Sequence, residues 1–130
     1  MDEVFMNEQE LHEAGLEILA NWLEGKGFEI LVAQREKDAL PSMVVKQGEA
    51  VTFIIAASAM YPEKGQISDK VKSAVLEHAK QFEAQTACAY IGLANAKAVE
   101  AKDKANYGMA YKNTRFIADF KGLEYIQFED

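Results

Sequence analysis

The sequence predicts an α/β (α+β) domain with a mixed central sheet flanked by helices. Two segments carry apolar residues every three or four positions, which is typical of amphipathic helices. Short apolar runs rich in Val, Ile and Phe lie between and after them, as expected of strands. The 130 residues suit one domain, and we expect residues 1–130 to form it.

The first helix is predicted from about Asn7 to Glu24. Asn7 and Glu10 have the spacing of a capping box. Gly25 and Gly27 then favour termination. The apolar stripe of this helix consists of Leu11, Ala14, Gly15, Ile18, Leu19, Trp22 and Leu23.

Three strands are predicted next, over residues 28–33, 41–46 and 51–57. The tight turn at residues 47–49 predicts an antiparallel hairpin of the second and third strands. The third strand is apolar almost throughout, so we expect burial on both faces and a central place in the sheet.

A second helix should run from Ser68, its cap, to about Glu83 and lead into a central strand over residues 86–93. A helical connection of this kind makes the third and fourth strands parallel. The order is therefore α-β-β-β-α-β. A strand-rich tail follows, with a short exposed helix within 94–106 and strands at 107–111 and 123–128; residues 115–121 are ambiguous. The predicted buried stripe of the second helix is Val71, Ala74, Val75, His78, Ala79 and Phe82.

Charge and composition argue against several classes of function. The net charge of −7 disfavours nucleic acid as a ligand, because phosphate binding rests on Lys and Arg. Cys88, the single cysteine, lies in an apolar run and reads as a buried inert thiol. No apolar stretch reaches membrane-spanning length and the N-terminus lacks a leader pattern, so we expect a cytoplasmic protein without a membrane association.

This element order, with particular residues on it, resembles the PD-(D/E)XK nuclease superfamily, which has the restriction-endonuclease-like fold. The likeness is to its small Holliday-junction-resolvase-like members and covers about residues 10–93. Lys72 falls near a helix lysine often seen in that group. The segments that carry the resemblance are Gly15, Trp22-Leu23, residues 27–31, Pro41-Ser42, Gly48-Glu49 and residues 53–57.

The resemblance implies a site that this chain does not complete. In the family an Asp and a Glu hold Mg²⁺ while a Lys orients the attacking water. Here Ser42 stands in the Asp position, Ile55 or Ala57 in the Glu position, and Ala57 or Ala59 in the Lys position. Leu16 replaces a supporting helix Glu. The resemblance therefore implies a degenerate nuclease fold without the family's metal-binding and lysine residues.

Three hypotheses follow. The leading one is a non-catalytic, cofactor-free domain that binds an unknown protein partner or a second copy of itself as a homodimer. The alternative is a Mg²⁺-dependent nuclease with relocated residues, namely Asp38, Glu63, Asp69 and Lys72. The third is an acidic dimeric protein that resembles type III secretion chaperones. Those chaperones have antiparallel sheets, so a parallel pairing of the third and fourth strands would exclude that fold.

Other reactive side chains have structural interpretations. Glu10, Glu13 and Glu17 should form a solvated acidic face. His12 has no second histidine at helical spacing with which to bind a metal. We expect His78 to be a core histidine and Ser58 to be a structural serine, since the glycines of a nucleophile elbow are missing around it.

Overall fold

The first two helices and the first four strands follow one another in the predicted order. The computed structural model of the protein describes residues 7–63, 65–102, 104–108 and 116–127. The elements are α1 (Glu8–Gly25), β1 (Glu29–Ala33), β2 (Met43–Gln47), β3 (Ala50–Met60), α2 (Asp69–Gln81), β4 (Gln85–Asn95), α3 (Ala96–Glu100), a 3-10 helix (Lys104–Asn106), β5 (Phe116–Asp119) and β6 (Glu124–Ile126).

The strands form a six-stranded mixed sheet in the order β1-β2-β3-β4-β5, with β6 also paired to β4. β1 with β2 and β2 with β3 are antiparallel, whereas β3 and β4 are parallel and joined through α2. Both β5 and β6 run antiparallel to β4. The predicted α/β class and the mixed central sheet are confirmed. The parallel β3–β4 pairing differs from the antiparallel sheet expected of the chaperone-like alternative, so the chain does not have that fold.

α1 begins with the predicted capping box and covers one face of the sheet. The Glu10 N–H donates to Asn7 Oδ1 at 2.8 Å, and the Asn7 N–H donates to Glu10 Oε1 at 3.1 Å. Both contacts satisfy amide groups that the first helical turn leaves without partners. The buried core on this face is formed by Leu16, Leu19, Leu23, Met43, Val45, Ile54, Ala89, Ile91 and Leu93.

α2 covers the opposite face. As predicted, the Ser68 hydroxyl caps it, accepting a hydrogen bond of 3.2 Å from the Val71 N–H. The buried core on this face is formed by Phe53, Ile55, Val75, Ala79 and Cys88. Because β3 and β4 lie between the two cores, consecutive residues of each strand are buried, which confirms the central positions predicted for them.

The predicted core position of His78 is wrong. His78 is exposed, and its ring packs edge-on against Phe53 and Phe82, with centroid distances of 5.4 and 5.3 Å. Ala74 and Phe82 of the predicted stripe are exposed as well. The contact face of α2 is narrow, and the residues buried on it are Val75 and Ala79. The three mispredicted residues lie on the margins of that face.

The tail differs in detail from the prediction. Tyr107 and Gly108 form a turn rather than a strand, and the rest of that predicted strand (109–111) lies outside the described residues. The ambiguous segment contains β5, and the last predicted strand is the short β6. α3 is the predicted short helix, but it is partly buried rather than exposed, because Ala96 and Ala98 lie in the core. Within the described ranges, no helix has both the length and the apolar character needed to cross a membrane.

Candidate functional site

Ser42 lies immediately before β2 and is buried against β3. Its N–H donates to the Ile54 carbonyl at 2.8 Å, and its hydroxyl oxygen accepts from the Ala56 N–H at 3.0 Å. Its relative exposure is 1%. The side chain thus extends the hydrogen bonding between the two strands beyond the first residue of β2. The hydroxyl is thus a structural acceptor, and it lacks the negative charge with which an Asp would bind a divalent cation.

Ile55 and Ala57 stand where the resemblance calls for the metal-binding Glu and the Lys. Neither side chain has a group that could bind a cation. Ile55 is buried in the core beneath α2. Ala57 is partly buried, and Gly65 packs so closely on it that a Cβ at Gly65 would lie 2.8 Å from the Ala57 carbonyl carbon. Mg²⁺ requires oxygen ligands, above all carboxylates. The residues at these three positions therefore do not fit the metal that the nuclease resemblance implies.

A polar cleft of about 260 Å³ opens where the N-terminal half of α1 passes over the second half of β3. Leu16, at the position of the family's supporting glutamate, is part of the core rather than of this cleft. The described residues that line the cleft are Glu8, Leu11, His12, Lys37, Asp38, Ala56, Ala57, Ser58, Gly65 and Gln66.

The outer wall of the cleft is the segment after β1, which is fastened to α1 by polar contacts. Lys37 donates through its N–H to Gln9 Oε1 at 2.9 Å and through Nζ to Glu8 Oε2 at 2.8 Å. The Gln9 amide also donates to the Arg35 carbonyl. Arg35 forms an ion pair of 2.7 Å with Glu13. The hydrogen bond with Lys37 lowers the pKa of Glu8, and the same contact raises the pKa of Lys37.

His12 is buried in the inner wall, although sequence reasoning gave it no structural partner. Its relative exposure is 6%, and Nε2 lies 3.4 Å from the Gln34 carbonyl oxygen. The predicted acidic face is only partly solvated, because Glu13 is partly covered and paired with Arg35 while Glu17 is exposed. The sequence of α1 alone could not indicate that His12 would lie beside a backbone carbonyl of the segment after β1.

Ser58 lies at the base of the cleft, and its side chain abuts Gly15 of α1. A Cβ at Gly15 would lie 1.8 Å from the Ser58 hydroxyl oxygen, so the helix and the strand approach closely only because this residue is glycine. The Ser58 hydroxyl oxygen is buried and has no hydrogen-bond partner within the described residues. No general base contacts it, and the structural interpretation of Ser58 still holds.

The four relocated candidates do not converge. Asp38 lines the cleft, whereas Glu63 and Asp69 are exposed and are not among its lining residues. Lys72 instead interacts electrostatically with Tyr90 on β4. In the described part of the chain, no three His, Cys, Asp or Glu side chains lie close enough together to hold a metal ion.

Lys72, Tyr90 and Cys88 form a titratable cluster that sequence reasoning missed. The negative charge that Tyr90 carries when ionised raises the pKa of Lys72. Burial raises the pKa of Tyr90 and that of Cys88, and the charge of either side chain when ionised acts on the other. Cys88 is 1% exposed, which confirms its predicted burial and is the opposite of the thiolate-stabilising setting of a nucleophile. Residues 88 and 90 share one face of β4, and that spacing alone could have suggested their contact.

A family model described as a domain of unknown function, DUF8840, matches residues 9–126. No curated protein and no solved structure gives a significant match to the chain.

Proposed function

The chain belongs to the DUF8840 family, a family of domains of unknown function, and from that premise we propose that it is a non-catalytic binding domain with a restriction-endonuclease-like fold. The observation that carries the proposal is the hydrogen bond that the Ser42 side chain accepts from the backbone. At the position where the resemblance calls for a metal-binding Asp, the hydroxyl is engaged by the Ala56 N–H at 3.0 Å.

The topology supports the fold assignment. The order α1-β1-β2-β3-α2-β4, the antiparallel pairing of the first three strands and the parallel pairing of β3 with β4 agree with the order that the resemblance implies. Fold alone does not carry function, since one fold supports many activities. The argument against catalysis therefore rests on the residues of the site.

The chemistry of the cleft supports binding rather than phosphodiester hydrolysis. Metal-assisted cleavage needs a clustered set of carboxylates and a group that activates water. The cleft presents instead a buried imidazole, the Glu8 carboxylate already paired with Lys37, and the carboxylate of Asp38. We propose that this recess receives polar groups of a partner protein through hydrogen bonds.

A metal-dependent nuclease is the second candidate, favoured by one observation, that Asp38 and His12 both line the cleft. In that case Asp38 would be a ligand and would need further ligands from a rearranged segment. The purified protein is to be incubated with Mg²⁺ or Mn²⁺ and with single-stranded, double-stranded and four-way-junction DNA. Asp38→Ala and, as a surface control outside the candidate set, Glu77→Ala on the exposed side of α2 are assayed in parallel.

The non-catalytic proposal predicts the same background cleavage for all three proteins. Metal-dependent cleavage by the wild type that is lost in Asp38→Ala and kept in Glu77→Ala would overturn it and establish the relocated site. Cleavage that neither substitution changes would also contradict the proposal and would place the activity elsewhere on the chain.

A further inference from the structure

The inner wall of the polar cleft holds a buried imidazole that uses one ring nitrogen. His12 is 6% exposed, and Nε2 is the nitrogen that the described residues engage, at 3.4 Å from the Gln34 carbonyl oxygen. A carbonyl oxygen can only accept, so a hydrogen bond here places the ring proton on Nε2. The lone pair of Nδ1 is then an acceptor whenever the imidazole is neutral.

Nδ1 of His12 is accessible from the cleft. Within the described residues, the fully buried side-chain atoms that lack a hydrogen-bond partner are the hydroxyl oxygens of Ser58 and Thr86. Nδ1 is not one of them, so this nitrogen is not sealed inside the protein. Because the ring lines the cleft, a ligand that enters the cleft meets an acceptor held in place by the contact at Nε2.

The charged groups of the cleft favour a cation over an anion. Two carboxylates, those of Glu8 and Asp38, and one ammonium group, that of Lys37, are among the described lining residues. Glu8 already holds the ammonium group at 2.8 Å, and the charge of Asp38 acts on it as well. The lining is therefore negative on balance, and its ammonium group is not free for an anion. The net charge of −7 on the whole chain attracts basic partners in the same way.

The shape of the ligand follows from the rest of the lining. Leu11, Ala56 and Ala57 are partly buried and give the cleft a short apolar surface. Arg and Lys side chains combine a methylene stem, which packs on such a surface, with a cationic head. The acceptors lie on two walls, His12 on α1 and Asp38 in the segment after β1. A planar guanidinium with five N–H groups reaches acceptors in different directions better than an ammonium group with three.

We propose that the cleft recognises an arginine side chain from a basic segment of a partner protein, with the guanidinium donating to Nδ1 of His12 and to the carboxylate of Asp38. The inference rests on the proposed function, because it names the polar group that the recess receives. Charge-assisted hydrogen bonds of a guanidinium to a carboxylate are stronger than those between neutral groups. Asp38 supplies the charge, and His12 supplies an acceptor of fixed direction.

The test is an NMR titration of the ¹⁵N-labelled full chain with N-acetylarginine N-methylamide at pH 8. The chain has two histidines, and the exposed His78 on α2, at the opposite face of the sheet, is an internal reference. We expect a saturable change in the Nδ1 resonance of His12 and no change in the ring of His78. The corresponding citrulline derivative, which is similar in shape but uncharged, should not bind.

The role of Asp38 is tested by a change of charge at constant size. Asp38→Asn should raise the dissociation constant of the arginine derivative at least about fivefold. Glu77→Gln is the matched control, because it removes the same charge from the exposed side of α2 and should leave the dissociation constant unchanged. Asp38 is itself exposed, so its replacement leaves the core intact, and circular dichroism checks that both variants are folded.

Three results would overturn the proposed recognition: no saturable change at His12, equal binding of the citrulline derivative, or an Asp38→Asn protein that binds arginine as tightly as Glu77→Gln. Equal binding of N-acetyllysine N-methylamide would contradict recognition of a planar guanidinium. The DNA-cleavage assay tests the proposed function separately. A chain that cleaves DNA would overturn the non-catalytic proposal whatever the titration shows, whereas a chain that neither cleaves DNA nor binds arginine would overturn the arginine site alone.

Discussion

The Ser42 hydroxyl accepts a hydrogen bond of 3.0 Å from the Ala56 N–H, and through it the segment before β2 is attached to the middle of β3. Ser42 is almost wholly buried, so the interaction is shielded from water. A side chain in this position replaces the carbonyl that a longer β2 would have supplied.

Ser42→Ala should destabilise the protein by about 1–3 kcal/mol, because a buried N–H loses its acceptor. Ser58→Ala is the matched control, since the Ser58 hydroxyl is buried without a partner and its removal should be neutral or stabilising. Urea denaturation of the two variants measures the difference. Equal losses of unfolding free energy would mean that the hydroxyl of Ser42 has no special structural role.

Gly15→Ala should destabilise the protein although alanine is the better helix former. A Cβ at this position would lie 1.8 Å from the Ser58 hydroxyl oxygen and 2.9 Å from Ser58 Cβ. Overpacking of this kind costs about 1–3 kcal/mol, which exceeds the gain of about 1 kcal/mol expected from helix propensity.

Ser58→Gly in the same chain should recover most of that loss by removing both contacts. Gly25→Ala is the comparison at the end of α1, where a Cβ would meet nothing within 4 Å. Thermal unfolding of the wild type and these three variants supplies the measurement. A Gly15→Ala protein as stable as Gly25→Ala would show that α1 and β3 do not approach as described.

The free energy of unfolding should decrease as the pH rises into the alkaline range, because Lys72, Tyr90 and Cys88 then lose their protons. All three pKa values are raised in the folded protein, so the folded state holds these protons more tightly than the unfolded state. Their contribution is complete below the unfolded-state pKa and is lost as the pH rises toward the folded-state values. The loss should begin near pH 9.0, the ordinary pKa of a thiol.

The slope of stability against pH isolates this effect from the packing cost of each substitution. Cys88→Ala and Tyr90→Phe should each flatten the alkaline slope, whereas Tyr61→Phe, which changes a half-exposed tyrosine on another surface, should leave it unchanged. Urea titrations from pH 7 to pH 10.5 provide the slopes. Parallel slopes in all four proteins would contradict a raised pKa at Cys88 and Tyr90.

Features set by local chemistry were predictable from the sequence. The Asn7–Glu10 capping box and the Ser68 cap each depend on residues within one helical turn. The central position of β3 followed from its unbroken apolar run. Features set by neighbours distant in sequence were not predictable. The burial of His12 depends on the segment after β1, and the exposure of His78 depends on how narrow the α2 contact is.

In the candidate site, too, local features could be predicted from the sequence and long-range contacts could not. The absence of ionisable residues from 53–60 was visible in the sequence and is the basis of the non-catalytic proposal. That Ser42 binds the backbone of β3, and that Lys72 contacts Tyr90 rather than Asp38, required the tertiary structure. Helix periodicity places a lysine on a face, but the strand residue that it reaches depends on the register of the sheet.

The most direct test of a non-catalytic domain is an anomalous difference map from crystals soaked in Mn²⁺. We expect no peak near Ser42, Ile55 and Ala57, because the hydroxyl is occupied and the other two side chains are apolar. A manganese peak bound by Asp38 together with Glu63 or Asp69 would contradict this expectation and would identify the chain as a nuclease whose site has moved.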